Sequence, residues 1–303
     1  MKYIDKYRLV DEAHAVNVRY LQDCYQGAGN PMYPKVDSKQ SFEDFKKSEY
    51  RYRNANMRGW EELLMEEQEG RCCYCMRTLT PHELNIEHVV PKGLSGNRGV
   101  SEYEQYAACA PAIKDYVMVA DQFAQKSFAT QADIDNEKRM PHITAEANLL
   151  AACNGKWGKP ETGCCCNNGR KDSFVVPLML MEECHNRVDY DENGLVSVLP
   201  QEPTLKTIIE ELNDETFMQV RQVWYKISGS SYSLDDVRAA NGYVERVMIL
   251  KTAFDVANFE DDLPEDFKKF ARLEGNLQST LYWDLLLSYD WFYYFYQNRR
   301  AAS

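Results

Sequence analysis

Most of the ten cysteines in this 303-residue chain fall in two short clusters that lie far apart in the sequence. The first cluster consists of Cys72, Cys73 and Cys75, and the second of Cys153, Cys164, Cys165 and Cys166. The residues after Met1 are charged and do not form the apolar core of a secretion signal, which predicts a cytoplasmic protein. Thiols in a reducing compartment are more often metal ligands than disulfides. The two clusters therefore predict a metal centre that joins distant parts of the chain.

The spacing within the clusters favours one four-thiolate zinc site. Cys72 and Cys75 form a C-x2-C pair, the spacing at which two thiolates reach one Zn²⁺ from a tight turn. Cys153 and Cys166 flank a loop rich in asparagine, glycine and lysine, so they can supply the other two ligands. These four cysteines are the predicted structural zinc ligands. Other ligands remain open at this point: Cys73 in place of Cys72, Cys164 or Cys165 in place of either late ligand, and Cys184.

Composition and charge limit the class of protein. Hydrophobic residues make up 44% and charged residues 27%, as in ordinary globular proteins. Lysine and arginine number 35 against 47 acidic residues, a net charge of −12, which argues against binding nucleic acid through the global field of the chain. No uninterrupted apolar stretch reaches the length of a membrane span. We therefore expect no membrane association, and any nucleic-acid site must be local.

The sequence divides into three regions, which together predict an α+β protein. They are a helical region over 1–70, a turn-rich core over 71–200 with a helical insertion over 99–146, and a helical region over 201–303. Gly70 is predicted to end the last helix of the first region. Glycine, proline and asparagine punctuate the core, which predicts short strands and loops.

Three local patterns refine this division. Tyr103–Phe128 is predicted to be helical. Asp191–Gly194 lies between two β-rich runs and predicts a hairpin over 188–198. Leu281–Tyr296 is apolar almost all the way round a helix, so it must be buried either in this chain or in a partner.

A short β-branched strand lies between the cysteine clusters and carries an adjacent acid and imidazole, Glu87 and His88, before Pro91. Successive residues of a strand point to opposite faces, so the two side chains need a twist or a bulge to meet in one site. Paired with the cysteines, they predict metal-dependent chemistry.

The order of four motifs carries a family resemblance. They are Cys72-x2-Cys75, Ile86–Pro91 with its Glu-His pair, Asn148–Cys153, and Cys166-Asn167-x2-Arg170. In this order they resemble the ββα-metal core of HNH endonucleases. More narrowly, about residues 60–221 are similar to the HNH (PtuB-type) subunits of Septu and retron-associated anti-phage systems, including Leu212-Asn213 and Arg221. The resemblance implies an α+β chain in which a ββα-metal (HNH) core with a structural zinc site is embedded in mostly helical sequence.

The resemblance also implies a role for each matching residue. His88 would be the general base that activates water, and Glu87 would ligate a catalytic Mg²⁺ or Mn²⁺. Asn148 would brace the two strands and orient the His88 loop. Asn167, in place of the last histidine of the signature, would be the second ligand of the catalytic metal, with Asn168 as its competitor.

Arg170 would bind phosphate, although lysine is the more usual residue at that position of the family. A second departure is the long interval between His88 and Asn148, which contains the helical insertion. That insertion is expected to gate the cleft or to dock a partner.

The expected function is that of an endonuclease cleaving phosphodiester bonds, DNA before RNA, as the effector of an anti-phage complex. The resemblance implies an ATPase partner of the ABC/SMC type (PtuA-like), with or without a retron RNA–DNA element. A noncatalytic zinc module that binds nucleic acid or assembles a complex is the alternative. A restriction enzyme with its own sequence recognition is a weaker one, because no reading helix is evident in the sequence.

Overall fold

A computed structural model describes the chain over the ranges that follow. These are residues 1–26, 58–94, 96–126, 132–133, 136–153, 166, 176–198, 212–213, 215–229, 234–239 and 286–302. Within them the protein mixes helices with three small two-stranded sheets. No helix in these ranges is long and apolar enough to cross a membrane.

The central feature is an antiparallel pair of strands, β1 (Leu84–His88) and β4 (Leu149–Cys153). The register places Leu84 opposite Cys153 and His88 opposite Leu149. All five residues of β4 are buried, as expected for a strand that is an unbroken run of apolar residues. The pair therefore joins the predicted Glu-His strand to the second cysteine cluster.

Two helices precede this pair, α1 (Val10–Gln26) and α2 (Arg58–Glu67). Trp60 of α2 is buried in the core. The chain leaves α2 through Gly70, whose φ of 67° lies in the left-handed region and whose N–H donates to the carbonyl of Met65 at 2.7 Å. Glycine adopts this conformation without steric cost, which confirms the predicted helix end.

In its described residues, the segment between the strands of the central pair contains helices on the N-terminal side of residue 126. They are α3 (Gly96–Cys109), α4 (Pro111–Tyr116) and α5 (Ala120–Ala124). They are joined by a small parallel sheet of β2 (Val117–Met118) and β3 (Met140–Pro141).

The described part of Tyr103–Phe128, a stretch predicted to be helical, therefore contains helices with two breaks between them. Ala110 adopts an extended conformation because a residue that precedes a proline disfavours the helical region. Val117 and Met118 then leave the helical path to pair with β3.

The remaining described elements include the third sheet, formed by the last two strands. They are a 3₁₀ turn (Leu178–Leu180), α6 (Cys184–Arg187), β5 (Val188–Tyr190), β6 (Val196–Val198), α7 (Glu215–Ser228), α8 (Leu234–Ala239) and α9 (Trp291–Ala302). The antiparallel β5–β6 pair confirms the predicted hairpin. At its turn, Gly194 has a φ of 77°, and a Cβ there would lie 2.1 Å from the carbonyl oxygen of Met218. Only glycine fits this turn without a backbone shift.

The aromatic C-terminal segment is buried within this chain. Tyr289, Phe292, Tyr293 and Tyr296 all belong to the hydrophobic core. The indole N–H of Trp224, in α7, donates to the carbonyl of Leu286 at 3.1 Å. Of the two predicted sites of burial, the intramolecular one is observed for the described part of Leu281–Tyr296.

Candidate metal centre and adjoining strand pair

The sulfur atoms of Cys72, Cys75, Cys153 and Cys166 lie within 4.8 Å of one another, and all four residues are buried. The Sγ atoms of Cys75 and Cys153 are 3.8 Å apart. A tetrahedral zinc with Zn–S bonds of about 2.3 Å separates its ligands by roughly 3.8 Å. The four sulfurs predicted from the sequence therefore form a group that can hold a structural zinc ion.

A tight turn presents the first two sulfurs. The N–H of Cys72 donates to the carbonyl of Arg77 at 2.8 Å, and the N–H of Met76 donates to the carbonyl of Cys72 at 3.1 Å. Met76 closes the turn with a φ of 64°. The N–H of Cys153, at the end of β4, donates to the sulfur of Cys72 at 3.3 Å. This turn, residues 72–77, is called the cysteine turn below.

The protonation of the thiols is strongly coupled. Burial opposes ionisation of Cys72, but hydrogen bonds from the neighbouring thiols hold its pKa well below the usual value. Burial and the hydrogen bond with Cys153 raise the pKa of Cys75 well above its usual value. The shifts have opposite signs because one thiolate in a buried group disfavours a second. Further ionisation needs a cation among the sulfurs, which is what a metal supplies.

The structure places the alternative zinc ligands that the sequence left open in different positions. Cys73 is buried beside the group but is not one of its four sulfurs, and Cys184 packs instead beside the carbonyl of Met1, 4.0 Å from its sulfur. Burial, and next the interaction with Cys72, raise the pKa of the Cys73 thiol well above its usual value, so this thiol stays protonated. Cys164 and Cys165 lie outside the described residues.

Gln68 links Arg71, the residue just before the cysteine turn, to β4, a contact that no motif in the sequence predicts. Its side-chain amide donates to the carbonyls of Arg71 at 2.7 Å and Ala151 at 2.8 Å, and accepts from the N–H of Ala151 at 2.7 Å. The N–H of Cys73 also donates to the carbonyl of Ala151 at 3.0 Å. Glutamine provides a donor and an acceptor on one side chain, as this bridge requires. Only its position just before the first cysteine cluster could have indicated the role.

Glu87 and His88 leave β1 toward different partners. The hydroxyl of Tyr74, in the cysteine turn, donates to Oε1 of Glu87 at 3.0 Å. Nε2 of His88 lies 2.9 Å from the carbonyl oxygen of Ile143. A carbonyl only accepts, so Nε2 carries a hydrogen and donates it to Ile143. Both side chains are buried, with about 6% of each residue exposed.

Asn148 connects the end of β1 to the start of β4. Its Oδ1 accepts from the N–H of Val90 at 2.7 Å, and its Nδ2 donates to the carbonyls of Val90 at 3.0 Å and His142 at 2.5 Å. The N–H of Val89 donates to the carbonyl of Asn148 at 2.9 Å. Asn148 is fully buried and fixes the backbone that follows His88.

His142 is a structural histidine that spacing arguments did not identify. Nδ1 of its ring accepts from the N–H of Ala120 at 3.0 Å. Burial lowers the pKa of His142 to about 4, so the ring is neutral at pH 7. The residue ties the insertion to the turn that carries Asn148.

A second buried polar site, the ion triad of Lys6, Glu67 and Glu146, lies just before β4. Nζ of Lys6 is 2.6 Å from Oε2 of Glu67 and 2.5 Å from Oε1 of Glu146. Glu146 begins the 3₁₀ turn Glu146–Asn148, which leads directly into β4. Burial raises the pKa of Glu146 to about 8, and the neighbouring Glu67 adds to the rise while Lys6 opposes it. No pattern in the sequence brings these three residues together.

Three predicted site residues and Arg221, which the resemblance includes without a site role, remain to be placed. Asn167, its competitor Asn168, and Arg170 lie outside the described residues. Arg221 is buried and donates to the carbonyls of Gly194 at 2.5 Å and Leu212 at 2.6 Å. Arg221 therefore holds the β5–β6 hairpin against α7.

No protein-family model matches the chain, and neither does any curated protein or any solved structure. Functional conclusions for this protein therefore depend on its own residues and their geometry.

Proposed function

We propose that the chain is a metal-dependent endonuclease of the HNH type that cleaves phosphodiester bonds, with DNA as the first substrate to test. The observation that carries the proposal is the β1–β4 register, with His88 at the end of one strand and Asn148 directly before the other. An HNH core uses two antiparallel strands with this order of residues. The four-cysteine group at the far end of the same pair supports the proposal.

In the proposed reaction, His88 accepts a proton from the attacking water. The hydrogen bond from Nε2 to the carbonyl of Ile143 fixes the plane of the ring. Nδ1 is the nitrogen proposed to accept the proton. Asn148 acts on the backbone after His88 and so orients the base.

Glu87 is the proposed ligand of the catalytic Mg²⁺ or Mn²⁺. A carboxylate oxygen suits either ion. Asn167 and Arg170 remain the proposed second ligand and phosphate-binding residue. When bound, the ion supplies charge stabilisation at the phosphoryl and leaving oxygens.

The proposal includes an anti-phage complex in the cytoplasm with an ATPase of the ABC/SMC type, with or without a retron element. The net charge of −12 supports a partner, because a partner can supply the positive surface that nucleic acid requires.

The second candidate is a noncatalytic zinc module that binds nucleic acid or assembles a complex. The burial of both Glu87 and His88 favours it, because a catalytic pair must reach a phosphate. Under this hypothesis both residues only stabilise the strand pair.

Nicking of supercoiled plasmid separates the two candidates. The full chain, with and without its genomically adjacent partner, is assayed with Mg²⁺ or Mn²⁺, and a structured RNA is assayed in parallel. The test variant is His88→Ala, and the matched control is His185→Ala, since His185 is exposed on α6. We expect cleavage to fall at least 100-fold in His88→Ala at unchanged zinc content, roughly the contribution of a general base. Cleavage of neither substrate in any combination, with zinc retained, would favour the noncatalytic module.

A further inference from the structure

Tyr74 lies between two zinc-ligand candidates in sequence and touches the proposed catalytic ligand in space. It is the residue between Cys73 and Cys75 in the cysteine turn, and its hydroxyl donates to Oε1 of Glu87 at 3.0 Å. Only about 2% of Tyr74 is exposed. The hydroxyl thus reaches across a buried interface to a carboxylate.

The backbone on both sides of Tyr74 is fixed. Cys75 contributes a sulfur to the four-cysteine group, and the N–H of Cys73 donates to the carbonyl of Ala151 on β4. The position of the hydroxyl is therefore determined by the cysteine turn. Because a side chain with few free rotations holds its partner accurately, this hydrogen bond restricts where the Glu87 carboxylate can lie.

The Tyr74 contact places the carboxylate of Glu87 near the cysteine turn as well as on β1. A hydroxyl that donates to a carboxylate stabilises its ionised form, which is the form that ligates a divalent cation.

We propose that Tyr74 is a positioning residue that links the four-cysteine centre to the divalent-metal ligand Glu87. This inference rests on the proposed function and deepens it. Zinc bound by the cysteines would hold the cysteine turn in place, and the turn would hold the Glu87 carboxylate in position through Tyr74. Tyr74 itself contacts neither metal nor substrate in this scheme.

Binding of Mn²⁺ tests the inference without requiring cleavage. The affinity of the full, zinc-loaded chain is measured from the free Mn²⁺ signal in electron paramagnetic resonance. We expect Tyr74→Phe to weaken Mn²⁺ binding roughly tenfold, the order expected for losing a hydrogen bond to a charged group, while zinc content is unchanged. Tyr296→Phe is the matched control, because Tyr296 is equally buried but donates to the carbonyl of Asp191 on the β5–β6 turn. It should bind Mn²⁺ as the unmodified chain does.

Glu87→Gln and the double variant separate this inference from the proposed function. If Tyr74 acts through Glu87, adding Tyr74→Phe to Glu87→Gln weakens binding no further. Additive losses would show that Tyr74 has only a general structural effect and would overturn the inference. Weakening in Glu87→Gln alone would overturn it while leaving the proposed function intact, and unchanged binding in both single variants would overturn both.

A loss of zinc in Tyr74→Phe is the remaining outcome, and reloading the variant with zinc decides it. Zinc is restored by refolding in its presence, and the Mn²⁺ affinities of the zinc-loaded variants are then compared. Equal affinities of Tyr74→Phe and the unmodified chain at full zinc loading would overturn the inference.

Discussion

Two buried polar sites lie at opposite ends of β4, and both join segments that are distant in sequence. At one end Cys153 completes the four-cysteine group, and at the other the turn that begins with Glu146 carries the ion triad with Lys6. Both sites concentrate acidic groups away from water. The triad contains its own cation in Lys6, whereas the cysteine group needs a metal from outside the chain. The stability of one end should therefore depend on metal, and that of the other on a single lysine.

Of the substitutions that test this comparison, removing a zinc ligand should cause the largest loss of stability. A structural zinc in small domains contributes about 10–16 kcal/mol of binding free energy, as much as the whole stability of a typical domain. We expect Cys75→Ser to lose zinc and its cooperative thermal unfolding transition. Metal analysis and circular dichroism measure both.

The matched control for this variant is Cys73→Ala, which removes a neighbouring buried thiol that is outside the four-sulfur group. It should retain zinc in full. Equal zinc loss in both variants would contradict the assignment of Cys75, and not Cys73, to the four-sulfur group.

Breaking the ion triad should have the second largest effect. Lys6→Met leaves two buried carboxyl groups without their cation, and removing one partner of a buried ion pair costs about 3–5 kcal/mol. Urea unfolding measures the loss in the free energy of unfolding. Lys2→Met is the control, because the Lys2–Glu69 pair is largely exposed and such pairs contribute about 0–1 kcal/mol. Similar losses in the two variants would contradict a special role for the triad.

The pH dependence of stability should distinguish the triad from the cysteine group. The pKa of Glu146 is raised from 4.5 to about 8, so between these values the folded state binds more protons than the unfolded state. The contribution of Glu146 to stability is therefore complete below about pH 4.5 and is lost as the pH rises through about 8. We expect Glu146→Gln, compared with the unmodified chain, to lose less stability on going from about pH 5 to about pH 8.

The comparison between variant and unmodified chain removes contributions from other groups. His142, with a pKa lowered to about 4, contributes in the opposite direction, since its share is lost as the pH falls below 6.5. Identical pH profiles of the free energy of unfolding in both proteins would show that Glu146 remains ionised in the triad.

The smallest loss of stability should come from disrupting the hydrogen bonds through which Gln68 links Arg71 to β4. Gln68→Glu replaces a donor with a carboxylate facing the carbonyls of Arg71 and Ala151, and an unsatisfied buried group costs about 1–3 kcal/mol. We expect that loss in urea unfolding, together with faster zinc release to a chelator. Gln122→Glu, on the exposed face of α5, is the isosteric control and should change neither quantity. Unchanged zinc release in Gln68→Glu would show that the turn holds its metal without help from β4.

Most ligands of the cysteine centre could be predicted because short stretches of sequence identify them. The C-x2-C spacing of Cys72 and Cys75 and the second cluster at Cys153 limited the ligands to a few sets. The hairpin at Asp191–Gly194 was predicted for the same reason, since turn residues between two β-rich runs leave few alternatives. The breaks within the helical stretch Tyr103–Phe128 were not predicted, because nothing local shows that Val117 pairs with a distant strand.

The sequence by itself determined which cysteines can share a metal, where the Glu-His strand lies, and that the aromatic C-terminal segment must be buried. Only the tertiary structure decided that Tyr74 meets Glu87, that Gln68 bridges to Ala151, and that Lys6 lies between two glutamates. These contacts join residues whose spacing carries no periodic or motif signal. They depend on how β1 and β4 pair and on what packs around them, which is a property of the folded chain as a whole.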